Sequence, residues 1–351
     1  MYSDSDLEAA VTAGALKEAD VRSFRSFIAE SQSTSLVDEE HFRLISGFND
    51  IFVAIASVLL LVAIAWLGGD IAMWLGATGV AAASWGLAEY FTRVRRMAFP
   101  SILLLLSFVG GLFMAVAFGL IRPETADYGP GDERLVAGYI SIAGVVAVAG
   151  AWFHWRRFHV PITIAAGAAA FVAALVGGIA VLTNGDIFDM QGVLHGMLLA
   201  SGIAVFAFAM WWDMSDAKRE TRRADVAFWL HLLAAPLIVH PIFAEIGVID
   251  GALSVGGAIL VIALYIAMAG IALAIDRRAL MVSSLIYVLW ALNGLFDRFG
   301  AVETNIALAA LIIGSALLLL SAFWHNARAL VVRPLPAGVK TRLPVVDTAA
   351  A

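Results

Sequence analysis

The 351-residue sequence contains no cysteine, which excludes disulfide scaffolds, thiolate metal centres and cysteine nucleophiles. Charge is scarce as well: Asp, Glu, Lys and Arg make up 14% of the residues, against about a quarter in a soluble domain. With 62% hydrophobic residues and a mean hydropathy of +0.90, so little charge excludes a nucleic-acid binder, a disordered chain and a small secreted module. The marks of several membrane chemistries are also missing. There is no G-x-x-x-x-G-K-[ST] phosphate loop, no H-E-x-x-H zinc pair and no G-x-S-x-G nucleophile turn. The expectation is a chain that is not an enzyme, has no catalytic residue, cofactor or metal, and binds no nucleic acid.

Long apolar runs are what the sequence has in abundance. A helix needs about 20 apolar residues to cross the hydrocarbon of a bilayer. Ten runs of that order lie between charges, Gly or Pro: 51–67, 71–90, 101–121, 135–153, 161–183, 192–212, 226–243, 252–275, 280–296 and 306–324. They predict an all-α integral membrane protein of ten transmembrane helices with short loops, whose first partner is the lipid bilayer.

Lys and Arg are retained on the cytoplasmic side during insertion. With the N-terminus inside, 19 of the 22 basic residues fall on inner segments, and only Arg122, Arg134 and Arg298 fall outside. Of the 28 carboxylates 11 fall outside, so the outer face carries −8 and the inner face +2, which recovers the net −6. Ten spans then place both termini in the cytoplasm. Trp66, Trp74, Trp152, Trp155, Trp211, Trp212 and Trp324 read as interfacial anchors, and Glu89 as the partner of Arg93 one turn on.

Three regions follow: a cytoplasmic helical segment and linker at 1–48, the membrane domain at 49–325 and a disordered tail at 326–351, rich in Pro and small residues. In the first, Ser5 and Glu8 fit a capping box and Gly14 is placed to end the helix. Val21, Phe24, Phe27 and Ile28 then give a second amphipathic stripe. Two such helices are too small for a core of their own, so residues 1–48 are a candidate surface for a protein partner. The stretch 7–28, with its Ala13-Gly14-Ala15-Leu16, and the many short-looped runs after it resemble bacterial polytopic proteins grouped under a domain of unknown function. That resemblance implies the bacterial inner membrane and carries over no site residue.

An ionisable group at bilayer depth costs roughly 3 kcal/mol on insertion scales and is a functional candidate for that reason. Three histidines qualify: His195, His231 and His240. His195 and His240 lie at similar depth toward the outer side, Asn293 of the ninth run also sits toward the outer end, and Gln191 and Glu245 lie at the mouth. If the sixth, seventh and ninth runs adjoin, these groups form one outward-facing pocket for a small solute or ion. Pro236 and Pro241 are candidate hinges in the seventh run. His231 and His240 sit on opposite faces of a straight helix, and only a kink at Pro236 brings both to one cavity. The other reading gives each histidine a structural hydrogen bond, and His195, inside Gly192-Val-Leu-His-Gly196, a small-residue helix contact. Two functions are therefore carried forward: a gradient-driven carrier, and a non-catalytic scaffold or sensor that binds a partner through its N-terminal helices.

Overall fold

The computed structural model describes residues 10–21, 23–24, 48–123, 131–184, 191–216, 219, 221–247, 254–278, 280–281, 285, 288–289, 292, 305–340 and 342–344. The chain divides into two compact units, Met1–Phe42 with Val346–Ala351, and Arg43–Val345.

In the first unit the helical residues 10–12 end at Gly14, whose φ of +72° suits glycine. The amide of Ala15 donates to the carbonyl of Ala10 at 2.9 Å, closing that end. A second helical stretch begins at residue 18, carries Val21 buried and Phe24 exposed, and has its start closed by the Lys17 amide donating to Asp20 Oδ2. Ser5, Glu8, Phe27 and Ile28 lie outside the described residues.

The second unit is helical, with no strand among its described residues. Its helices are α1 (Phe48–Gly69), α2 (Met73–Ala88), α3 (Ala98–Ile121), α4 (Glu133–Phe158), α5 (Ile162–Leu182), α6 (Gln191–Met214), α7 (Arg222–Glu245), α8 (Val255–Ile275), α9 (Asn305–Ala322), α10 (Trp324–Val332) and the single turn α11 (Ala337–Lys340). Seven of them, α1 and α3 to α8, are long and apolar enough to cross a membrane, or eight if the bent α9–α10 pair is one span. α2 has 16 residues and runs on through a six-residue π-turn, Glu89–Val94. Most of the expected run 280–296 lies outside the described residues.

Large apolar side chains face outward along these helices, among them Leu59 at 67%, Ile266 at 65% and Leu318 at 74% exposure. In water such a surface drives aggregation, whereas hydrocarbon accepts it and the helices satisfy their own backbone groups. The fold is that of a multi-pass membrane protein.

Without a hydrophobic drive between helices in lipid, small residues set the contacts. Gly144 on α4 lies against Ala170 and Ala174 on α5, while Gly177 on α5 lies against Ala137 and Ser141, a reversed order that makes the two helices antiparallel. Ser141 Oγ donates across this seam to the carbonyl of Ala174 at 2.9 Å. α6 and α7 close in the same way at Gly202, where an added Cβ would stand 2.9 Å from the backbone nitrogen of Ile238.

The C-terminal region departs from expectation. Residues 326–351 read as a disordered tail, yet α10 and α11 lie there, and Trp324, Arg328, Val332 and Leu343 are buried. The prolines start structure rather than end it: the carbonyl of Pro336 accepts from the amides of Val339 and Lys340. α10 turns 78° from the end of α9. Residues 345–351 lie outside the described set.

Candidate functional site

The antiparallel α6–α7 pair carries a carboxylate and a histidine in contact at each of its two ends. At one end, His195 sits one turn into α6 beside the last turn of α7. Its Nδ1 lies 2.7 Å from Glu245 Oε1, and its ring stands edge-on to His240 with centroids 6.3 Å apart. The Glu245 side chain is 58% exposed and that of His195 19%. Gln191 and His240 are exposed, Pro236 is exposed and Pro241 buried. Asn293 lies outside the described residues.

Among the described residues the glycines of α6 at this end face open space. A Cβ added at Gly196 would meet none of the described residues within 4 Å, and one at Gly192 only Glu245 Oε1 at 3.8 Å. Among the described residues the close α6–α7 contact falls at Gly202, two turns beyond His195 on α6.

At the other end His231 is fully buried. Its Nε2 lies 3.0 Å from Asp213 Oδ2, and Arg277, which follows α8, donates through Nε to the same oxygen at 3.3 Å and through Nη2 to Oδ1. Arg277 Nη2 also donates to the carbonyl of Ala224 at 3.1 Å. Carboxylate and guanidinium neutralise each other, which lets them lie together at 2% side-chain exposure or less. His231 Nδ1 has no partner among the described residues. α7 runs as one helix through Pro236 and Pro241, and the structure does not bring His231 and His240 together: they belong to opposite ends of the pair.

Next to Arg277 stands a second ionic knot. Asp276 ends α8 in the left-handed region at φ +61°, which Asp tolerates better than most residues. Its carboxylate accepts from Arg219 Nη1 at 3.1 Å and from Trp324 Nε1 at 2.8 Å. Arg219 also donates to the carbonyls of Ile275 and Asp276. Arg328 lies 3.5 Å from Asp276 and donates to the carbonyl of Pro344 at 2.7 Å. Trp324, expected at the lipid interface, is buried in this knot.

The apolar runs 192–212 and 252–275 stop just before Asp213 and Asp276, and Arg219 and Arg277 enter the sequence reading as inner basic residues. Sequence reasoning also passed over His154, fully buried among Trp85, Phe108 and Phe158, with Nδ1 3.4 Å from Thr163 Oγ1 and Nε2 unpartnered among the described residues. Glu89 does meet Arg93 at 3.3 Å, and in addition accepts two shorter bonds from Arg157, at 2.8 and 2.9 Å. Among the described residues no three His, Asp or Glu side chains converge as a metal ion would require.

Chemically, the open end presents an exposed imidazole and carboxylate, groups that can exchange protons or hold a cation or polar solute where water reaches them. The closed end offers none of its charges to solvent. Compared with protein-family models, curated proteins and solved structures, the chain matches none.

Proposed function

We propose that this chain is a gradient-driven carrier of a small solute or ion that loads at the open end of the α6–α7 pair, through His195, His240 and Glu245, with Gln191 at the mouth. The observation that carries the reading is the duplicated pairing on two helices: one carboxylate–histidine pair is exposed, the other dry and neutralised by Arg277. Prolines in α7 between and beside the two ends give the pair a place to bend. His231 belongs to the closed end and Asn293 to the expected ninth span. The reading includes ten spans with both ends in the cytoplasm of a bacterial inner membrane, which the 19-to-3 division of basic residues supports. It assigns no catalytic residue and no cofactor.

One observation favours a second reading, a scaffold or sensor: Met1–Phe42 belongs to a unit separate from Arg43–Val345. Two measurements distinguish them. A carrier predicts that a solute whose level shifts in a deletion strain enters proteoliposomes bearing the full chain only under an imposed proton or ion gradient. It also predicts that a chain lacking residues 2–30 still reaches the membrane and rescues the strain. Failed uptake, with rescue lost in the truncated chain at normal abundance, overturns the carrier in favour of the scaffold.

A further inference from the structure

Beneath the C-terminal segment lies a cavity of about 470 Å³, within the roughly 300–1,000 Å³ that holds a small organic ligand. Its walls include Phe206 of α6, Ile238 of α7 and Met268 of α8, its roof is Leu335, Val339 and Leu343, and every described lining side chain is apolar. Phe206 is eight residues from the end of α6, so the cavity reaches about 12 Å below the helix ends.

The roof is basic. From residue 323 to residue 345 the chain has Arg328, Arg333, Lys340 and Arg342 and no Asp or Glu. Arg328 is committed to Asp276 and Pro344. The other three are exposed, and no carboxylate among the described residues pairs with them. Arg333 stands two positions before Leu335, Lys340 one after Val339 and Arg342 one before Leu343, so each exposed cation flanks a residue that closes the cavity. Lys340 Nζ donates to the carbonyl of Arg333 at 2.8 Å, which ties the two edges of the roof together. α10 lies 78° across the end of α9, so the segment runs close to the membrane plane if α9 spans it.

We propose that this cavity and its basic roof bind one anionic phospholipid, an acyl chain among Phe206, Ile238 and Met268 and the phosphate headgroup on Arg333, Lys340 and Arg342. The charge pattern selects this occupant. A zwitterionic lipid fills the cavity and leaves the three cations uncompensated, while a free anion satisfies the cations and leaves the cavity empty. The proposal does not depend on the carrier reading.

The test is native mass spectrometry of the full chain in mild detergent, titrated separately with phosphatidylglycerol and with phosphatidylethanolamine. One phosphatidylglycerol per chain is expected, bound about tenfold more tightly than phosphatidylethanolamine, as cations near a headgroup support. The triple variant R333Q/K340Q/R342Q abolishes that preference, R333K/R342K retains it, and Ala274→Phe, which fills the cavity, lowers occupancy by both lipids. Equal binding of the two lipids to the unaltered chain overturns the proposal, as does a triple variant that keeps its preference. Should the triple variant fail to reach the membrane, unchanged phosphatidylglycerol occupancy in Ala274→Phe overturns it instead.

Discussion

The two ends of the α6–α7 pair are built from the same residue types and behave differently. α6 supplies His195 to one end and Asp213 to the other; α7 supplies Glu245 and His231. The 18 residues from His195 to Asp213 correspond to about 27 Å of helix, most of the hydrocarbon thickness. At the dry end the third member is Arg277, which neutralises the carboxylate and ties it to the Ala224 carbonyl. At the wet end the third member is His240, and the pair is exposed. A carboxylate–histidine contact thus acquires its character from what surrounds it. Buried with a fixed counter-charge it holds helices in register, and at the surface it stays available to protons and solutes.

The largest effect that would break this contrast lies at the dry end. Asp213→Asn leaves Arg277 charged and buried, and Arg277→Met leaves Asp213 so; either is expected to cost about 3–5 kcal/mol. The melting temperature in detergent and the amount of folded protein in the membrane should both fall. The double variant, which removes both charges, should recover most of the loss. Single variants that melt like the unaltered chain would show that the cluster is not a structural lock.

A smaller effect probes helix closeness. Gly202→Leu drives a side chain into the Ile238 backbone and is expected to destabilise by about 1–3 kcal/mol. Gly196→Leu, on the same helix with nothing among the described residues within 4 Å of its Cβ position, should leave the melting temperature nearly unchanged. Equal losses from the two substitutions would mean that α6 and α7 are as tightly packed at the wet end as at Gly202.

The helices themselves were legible because the 20-residue apolar period is a strong linear signal: the expected run 226–243 is the interior of α7, and 192–212 that of α6. The wet end was legible for the same reason, since His195 and His240 stand out against apolar neighbours and antiparallel pairing aligns them. The dry end was not. Asp213 and Arg277 sit at run edges, where a rule that counts charges by side assigns them to water. α6 in fact carries Asp213 before it ends, and the left-handed turn at Asp276 sends Arg277 back into the bundle. The available clue was a carboxylate directly after Trp211-Trp212, at the edge of the apolar run. The tail was misread because its prolines dominated the composition, while Leu335, Val339 and Leu343 kept a four-residue apolar spacing.

The smallest effect on stability and the largest on function are expected together at the wet end. Glu245 is more than half exposed, so its pair with His195 contributes about 0–1 kcal/mol. Glu245→Gln keeps the shape and removes the charge, and His240→Ala removes an exposed ring from beside His195. Each variant should therefore reach the membrane in normal amount and melt within about 1 kcal/mol of the unaltered chain. In a carrier, each should nevertheless fail to rescue a deletion strain, because a group that receives a solute or proton acts through contact with the cargo and adds little to helix packing. In a scaffold the same changes leave rescue intact. Abundance, melting temperature and rescue measured on the same cultures separate these outcomes. A variant that rescues fully at normal abundance removes its residue from the loading point and would leave the wet end as a surface contact.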